Sequence, residues 1–175
     1  MFENLKSWML HKEFAKDARP YGRHSSGTNA LQSVCILFDG TDEDERKIVH
    51  KFKKKLSPDS KRTVKSLAFI NNSLPLDNID YAAYNLKQIK WFGLPFGEKV
   101  EEFLQYNYDI LIVLCKKMLP HYEFIIAHSK AQFAIGPSIE KASKYFDITV
   151  QMEGNDTTDQ LILKIIEAID KISIK

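Results

Sequence analysis

Residues 34–56 read VCILFDGTDEDERKIVHKFKKKL, and the order of chemistry along that stretch decides the fold. VCILF is apolar throughout instead of alternating with polar residues. That suits a short strand covered on both faces, as in a parallel sheet. From 42 to 56 the period changes: Ile48, Val49, Phe52 and Leu56 fall on one helical stripe. Acids open this segment and lysines close it, as the helix dipole favours, and Pro58 stops it. A strand running directly into a helix is the first half of a right-handed βαβ crossover.

The same grammar repeats outward. Further apolar β-rich runs lie at 65–71 (KSLAFIN), 109–115 (DILIVLC), 131–136 (AQFAIG) and 146–152 (FDITVQM). Helices are expected at 98–106, with Val100, Phe103 and Leu104 inward; at 120–129, where Pro120 suits a first turn; and more briefly at 138–145. Asp156 or Thr157 caps a last helix whose apolar face holds Leu161, Ile162, Ile165, Ile166, Ile169 and Ile172. The reading is α/β: an open, doubly wound, mostly parallel sheet of about five strands, with the flavodoxin-like order 2-1-3-4-5 as its simplest arrangement.

Two stretches fall outside the alternation. Residues 72–96 form a long connection with Pro75, Gly93 and Pro95, a short helix expected near 81–86, and the pair Trp91-Phe92 expected to pack on the sheet. Residues 1–30 begin with an amphipathic segment (Phe2, Leu5, Trp8, Met9, Leu10) and continue as KEFAKDARPYGRHSSGTN, which has no core pattern. The chain thus divides into an N-terminal helical and basic arm, 1–30, and one α/β domain, 31–175. Its 175 residues leave no room for a second full domain, and 44% hydrophobic with 27% charged residues exclude a disordered or fibrous chain. No signal-peptide pattern and no run of eighteen uncharged apolar residues is found, so a cytoplasmic protein without a membrane partner is expected. Cys35 and Cys115 each sit in an apolar run and read as buried thiols without a disulfide.

Doubly wound sheets bind ligands at the carboxyl ends of their strands. Here the first such end reads FDGTDEDE, which is neither GxGxxG nor a P-loop, and its acids would repel phosphate. Asp39, Asp42 and Asp44 resemble a magnesium-binding acidic cluster, but no aspartate ends the third run and no lysine ends the fifth, so helix capping is the preferred reading. Cys115 with His121 and His128 is weighed as nucleophile and base, and a structural cysteine is preferred. No CxxC, HExxH or close Cys/His cluster is present, and no metal or cofactor is expected.

Charge is the stronger signal. The net charge is only +2, yet residues 46–65 hold nine cations (Arg46, Lys47, Lys51, Lys53, Lys54, Lys55, Lys61, Arg62, Lys65) against the single acid Asp59. Such density suits phosphate backbones, with contacts that position without specifying sequence. The arm adds Lys12, Lys16, Arg19, Arg23, His11 and His24, interleaved with Trp8, Phe14 and Tyr21, so that charge and stacking surface occur together.

The segments WFGLPFGEKVEEFLQYNYDILIVLC (91–115) and AHSKAQFAIGPS (127–138), followed by FDITVQ (146–151), resemble an uncharacterised bacterial family of unknown function. The resemblance spans nearly the whole chain and is carried by Trp91-Phe92-Gly93, by Ser129, Lys130, Ala131, Phe133 and Gly136, and by Phe146-Asp147. It implies a cytoplasmic bacterial protein and supplies no catalytic residue.

Three functions are therefore ranked. The first is a non-enzymatic RNA-binding or ribosome-associated factor, partnered by RNA or a ribosomal subunit and by ribosomal proteins, gripping phosphates through the arm and the 46–65 surface. The second is a small-molecule-binding or enzymatic domain using the strand ends around Asp39, Cys115 and Ser129. The third is a protein-interaction module docking through residues 2–10.

Overall fold

A computed structural model describes residues 2–16, 31–58 and 61–173. An N-terminal helix α1 (Phe2–Phe14) precedes the sheet. There follow β1 (Ser33–Asp39), α2 (Glu43–Leu56), β2 (Thr63–Ile70), β3 (Ala83–Asn85), α3 (Glu98–Gln105), β4 (Ile110–Leu114), α4 (Pro120–His128), β5 (Phe133–Pro137), β6 (Ile148–Val150) and α5 (Thr158–Ser173). One six-stranded sheet results, in the order β3-β2-β1-β4-β5-β6, with every pairing parallel. The five runs expected from the sequence pair in the expected order. A sixth strand, β3, joins at the edge and makes the order that of dinucleotide-binding Rossmann folds.

Alternation along β1 explains its continuous hydrophobicity. Cys35 and Leu37 join Leu67, Phe69, Leu111 and Val113 on one face, under Val100 and Phe103 of α3 and Tyr122, Ile125 and Ile126 of α4. Val34, Ile36 and Phe38 join Ala68, Ile112 and Leu114 on the other, under Val49 and Phe52 of α2 and Leu161, Ile162 and Ile165 of α5. Each buried aliphatic side chain contributes about 1.5–3 kcal/mol, and loss of polar alternation is the signature of strands that receive it on both faces.

Two expectations are corrected. The helix expected near 81–86 is instead β3: Ala83, Tyr84 and Asn85 are all buried and pair with Ala68, Phe69 and Ile70. Only afterwards does the Asn85 side chain, accepting from Lys87 N–H, start a 3-10 turn at Leu86–Gln88. The helix expected at 138–145 shrinks to a 3-10 turn at Ala142–Lys144, because Lys141 adopts φ 66°, a left-handed conformation no α-helix can pass through. The last helix starts as expected, with Thr157 and Gln160 as reciprocal caps: Gln160 Oε1 accepts from Thr157 N–H at 2.8 Å, and Thr157 Oγ1 from Gln160 N–H at 3.4 Å.

Candidate nucleic-acid interface

The acids at the start of α2 serve the helix itself. Asp42 is its N-cap, with Oδ1 accepting from Asp44 N–H at 2.8 Å, and Asp39 accepts from Thr41 N–H at 2.9 Å. Of the nine cations that follow, five are engaged within the domain. Arg46 donates to the carbonyls of Gly40 and Thr41. Lys47 pairs with Glu43 at 2.9 Å and Asp44 at 3.3 Å, and the Glu43 hydrogen bond raises its pKa. Lys53 bends to Ser66 Oγ at 3.0 Å, where burial lowers its pKa. Arg62 donates from Nε to Leu31 O at 2.7 Å and from Nη1 to Leu56 O at 3.2 Å, tying the end of α2 to the start of β1. Lys65 lies 3.7 Å from Glu102 and 4.3 Å above the Tyr106 ring.

Lys51, Lys54, Lys55 and Lys61 remain. All four are exposed, and among the described residues none has an anionic partner. Lys51, Lys54 and Lys55 share one helix face by their i, i+3, i+4 spacing, and Lys61 lies just before β2. Because α2 runs antiparallel to the strands, this cluster stands at the amino-terminal edge of the sheet.

The arm docks on the opposite layer. Phe14 of α1 meets Phe124 at 6.0 Å and His128 at 5.9 Å, both edge-on, and His128 Nε2–H donates to Lys16 O at 2.7 Å. Phe14, read from sequence as stacking surface, is therefore packing. Lys16 Nζ is bonded to Glu13 at 2.8 Å, while Lys12 is exposed above the Trp8 ring at 5.0 Å. Arg19, Tyr21, Arg23 and His24 lie outside the described residues. The segment that carries them leaves α1 beside His128, the last residue of α4, and rejoins the domain at Leu31, held by Arg62. Both ends thus stand at the same sheet edge as the unpaired lysines.

At the strand ends Asp39 is exposed, whereas Cys115 and His121 are packed away. Cys115 is buried, and burial pushes its thiol up to about 12. His121 is 5% exposed; its Nδ1 is hydrogen-bonded to the Tyr84 hydroxyl at 2.7 Å, its ring is 4.3 Å from those of Phe69 and Tyr122, and burial lowers its pKa to about 4. Both groups are neutral at pH 7. His128 is not their neighbour, since it ends the helix that His121 begins, and Ser129 caps that same far end, fully buried. At 1.5 Å per residue the nine residues of α4 keep Ser129 roughly 13 Å from the Cys115 end. A groove of about 260 Å³ opens elsewhere, along the part of β2 that β3 is too short to cover, between Lys53, Lys65 and Lys99 and the acids Asp80 and Glu102. Among the described residues no three His, Cys, Asp or Glu side chains gather as a metal site, and no helix is long and apolar enough to cross a membrane.

A family model described as a family of unknown function (DUF6913) matches residues 5–167. The chain belongs to this family. The matched range begins inside α1 and ends inside α5, so the docked arm helix and the α/β sheet fall within one DUF6913 unit. No curated protein matches the sequence.

For this DUF6913 member, sequence reasoning located the cationic stretch but could not sort it. Which lysines turn back onto Glu43, Ser66 or backbone carbonyls depends on the strand each meets. It also missed Trp91. Phe92 is buried as expected, but the Lys90–Leu94 turn, closed by Gly93 N–H to Lys90 O at 2.7 Å with Gly93 at φ 98°, points Trp91 outward at 54% exposure. The adjacent Gly was the available signal, because a tight turn cannot bury two successive bulky side chains on one side.

Proposed function

We propose that this protein is a non-enzymatic RNA-binding factor of the cytoplasm, associated with ribosomal subunits, that grips phosphates at the amino-terminal edge of its sheet. One observation carries the reading: Lys51, Lys54, Lys55 and Lys61 are exposed and, among the described residues, without an anionic partner, together at the edge where the chain bearing Arg19 and Arg23 leaves and rejoins the domain. Unpaired lysines cost the fold nothing to give up to a phosphate, whereas Lys47 and Arg62 would first have to break bonds. The buried, neutral state of Cys115 and His121 supports a non-enzymatic role over the strand-end alternative. Docking of Phe14 on α4 likewise weakens the case for the first helix as a detached interaction module.

Binding of labelled RNA and of isolated ribosomal subunits across a salt series tests the proposal. Affinity driven by phosphate contacts falls steeply with salt, with a log–log slope of about −0.7 for each contact to a single strand. Absence of binding at low salt refutes it.

A further inference from the structure

The chain contains two tryptophans, and neither is buried: Trp8 is 58% exposed on α1 and Trp91 is 54% exposed in the turn beside it. Two indoles exposed on neighbouring elements form a flat aromatic surface of the kind enriched at interfaces. Each of these has a cation at hand. Lys12 Nζ lies 5.0 Å from the Trp8 ring centroid. Trp91 stands edge-on to Phe92 at 5.4 Å, and Lys90 Nζ lies 5.7 Å over that same Phe92 ring. The two sites adjoin, since Leu10 of α1 lies next to Gly93 and Lys90 acts on Glu13. Both rings are also held in place. Phe92 is buried beneath Trp91, and the turn is closed by Lys90 N–H to Leu94 O at 2.8 Å; Trp8 is fixed on a helix whose opposite face, Leu10 and Phe14, is docked.

We infer that Trp8 and Trp91 are base-stacking positions for single-stranded RNA, with Lys12 and Lys90 holding the adjoining phosphates. This adds a second contact surface to the phosphate-binding reading, on the layer opposite the exposed lysines, and rests on that reading. Stacking on a flat ring is open to any base, but only where the base faces are free, so the surface selects single strands over duplex. Trp8 faces away from the domain and Trp91 lies on the turn beneath, so a strand engaging both must cross α1, a cylinder of about 10 Å diameter. A flexible single strand can follow that curve. Charge agrees with this occupant: Lys12 and Lys90 flank the two rings, and of the two acids on α1, Glu3 and Glu13, the latter is already held by Lys16. The next cations in the chain are Arg19 and Arg23.

Tryptophan-selective excitation, at the red edge where the seven tyrosines do not absorb, reads these two residues alone. The full chain is titrated with a short oligouridylate, with RNA duplex and with inorganic polyphosphate, alongside anisotropy of labelled oligouridylate. The variants Trp8→Phe and Trp91→Phe assign the signal to one ring or the other. Expected are quenching by oligouridylate that polyphosphate and duplex do not reproduce, and weakening of oligouridylate binding by roughly five- to a hundredfold in Trp8→Ala or Trp91→Ala with polyphosphate binding unchanged. Salt-dependent oligouridylate binding without quenching, and with both alanine variants unaffected, overturns the stacking inference while leaving the phosphate reading standing. Equal quenching by polyphosphate also overturns it. Emission unmoved by any polyanion, with no binding at low salt, refutes both readings and leaves the tryptophans to a protein partner. Both rings are exposed, so the variants should keep the wild-type melting temperature, checked by circular dichroism.

Discussion

Gly136 of β5 has no space for a side chain because the ring of Phe146 lies directly on it: a Cβ there would come within 2.6 Å of two ring carbons. Phe146 is itself buried, and the next residue, Asp147, is tied to Ala134 of β5 through both its backbone N–H and its carboxylate. The ring therefore cannot retreat. Gly136→Ala is expected to destabilise the protein by about 1–3 kcal/mol, the usual cost of overpacking. Adding Phe146→Leu should recover part of that loss, and a double-mutant cycle in urea denaturation checks the coupling.

The Tyr84–His121 pair makes stability depend on pH in one window. Burial lowers His121 from its ordinary 6.5 to about 4. As pH falls through about 6.5 the unfolded chain takes up a proton that the folded chain refuses until about 4, so acid favours unfolding across that interval and the loss saturates below it. The shift corresponds to about 3 kcal/mol at 1.36 kcal/mol per pH unit. His121→Phe removes the hydrogen bond to Tyr84 and lowers stability at neutral pH, but its urea midpoint should be nearly flat across the same window. A variant as acid-sensitive as the wild type would assign the effect to other groups.

The cations of 46–65 should separate into two kinds on substitution. Lys51→Gln, Lys54→Gln and Lys55→Gln combined leave the melting temperature within a degree or so, since exposed lysines contribute little. They should flatten the salt slope of RNA binding by about 2. Arg62→Ala does the reverse. It frees two backbone carbonyls from a charged donor, costing about 1.5–3 kcal/mol, or roughly 5 °C in Tm. Thermal melts paired with anisotropy titrations distinguish the two behaviours.

Cys115 should be inert in the folded protein. Burial holds its thiol near 12, and Cys35 is equally buried with Sγ donating to Ile110 O at 3.5 Å. Labelling by a thiol reagent is expected to track global unfolding from neutral to mildly alkaline pH. Rapid labelling of one thiol in the native state would show that the β4 end opens locally.

What the amino-acid sequence determined by itself was periodicity. Apolar runs without alternation, such as 34–38 and 110–114, specify strands sandwiched between helix layers. The stripe of Ile48, Val49, Phe52 and Leu56 likewise specifies the helix between two of them. These are local signals; strand type and crossover helices follow from them, and the five strands they mark take the simplest doubly wound order. The tertiary structure decided what local signals leave open. Ala83–Asn85 became a strand because the edge of β2 offered it partners, not because three residues carry a strand's propensity. Five of the nine cations met acids, a hydroxyl or carbonyls brought near by the fold, while the other four have no anionic partner among the described residues. Cys115 and His121, close in sequence and suggestive of chemistry, were neutralised by burial, a property of the packed neighbours and not of the residues themselves.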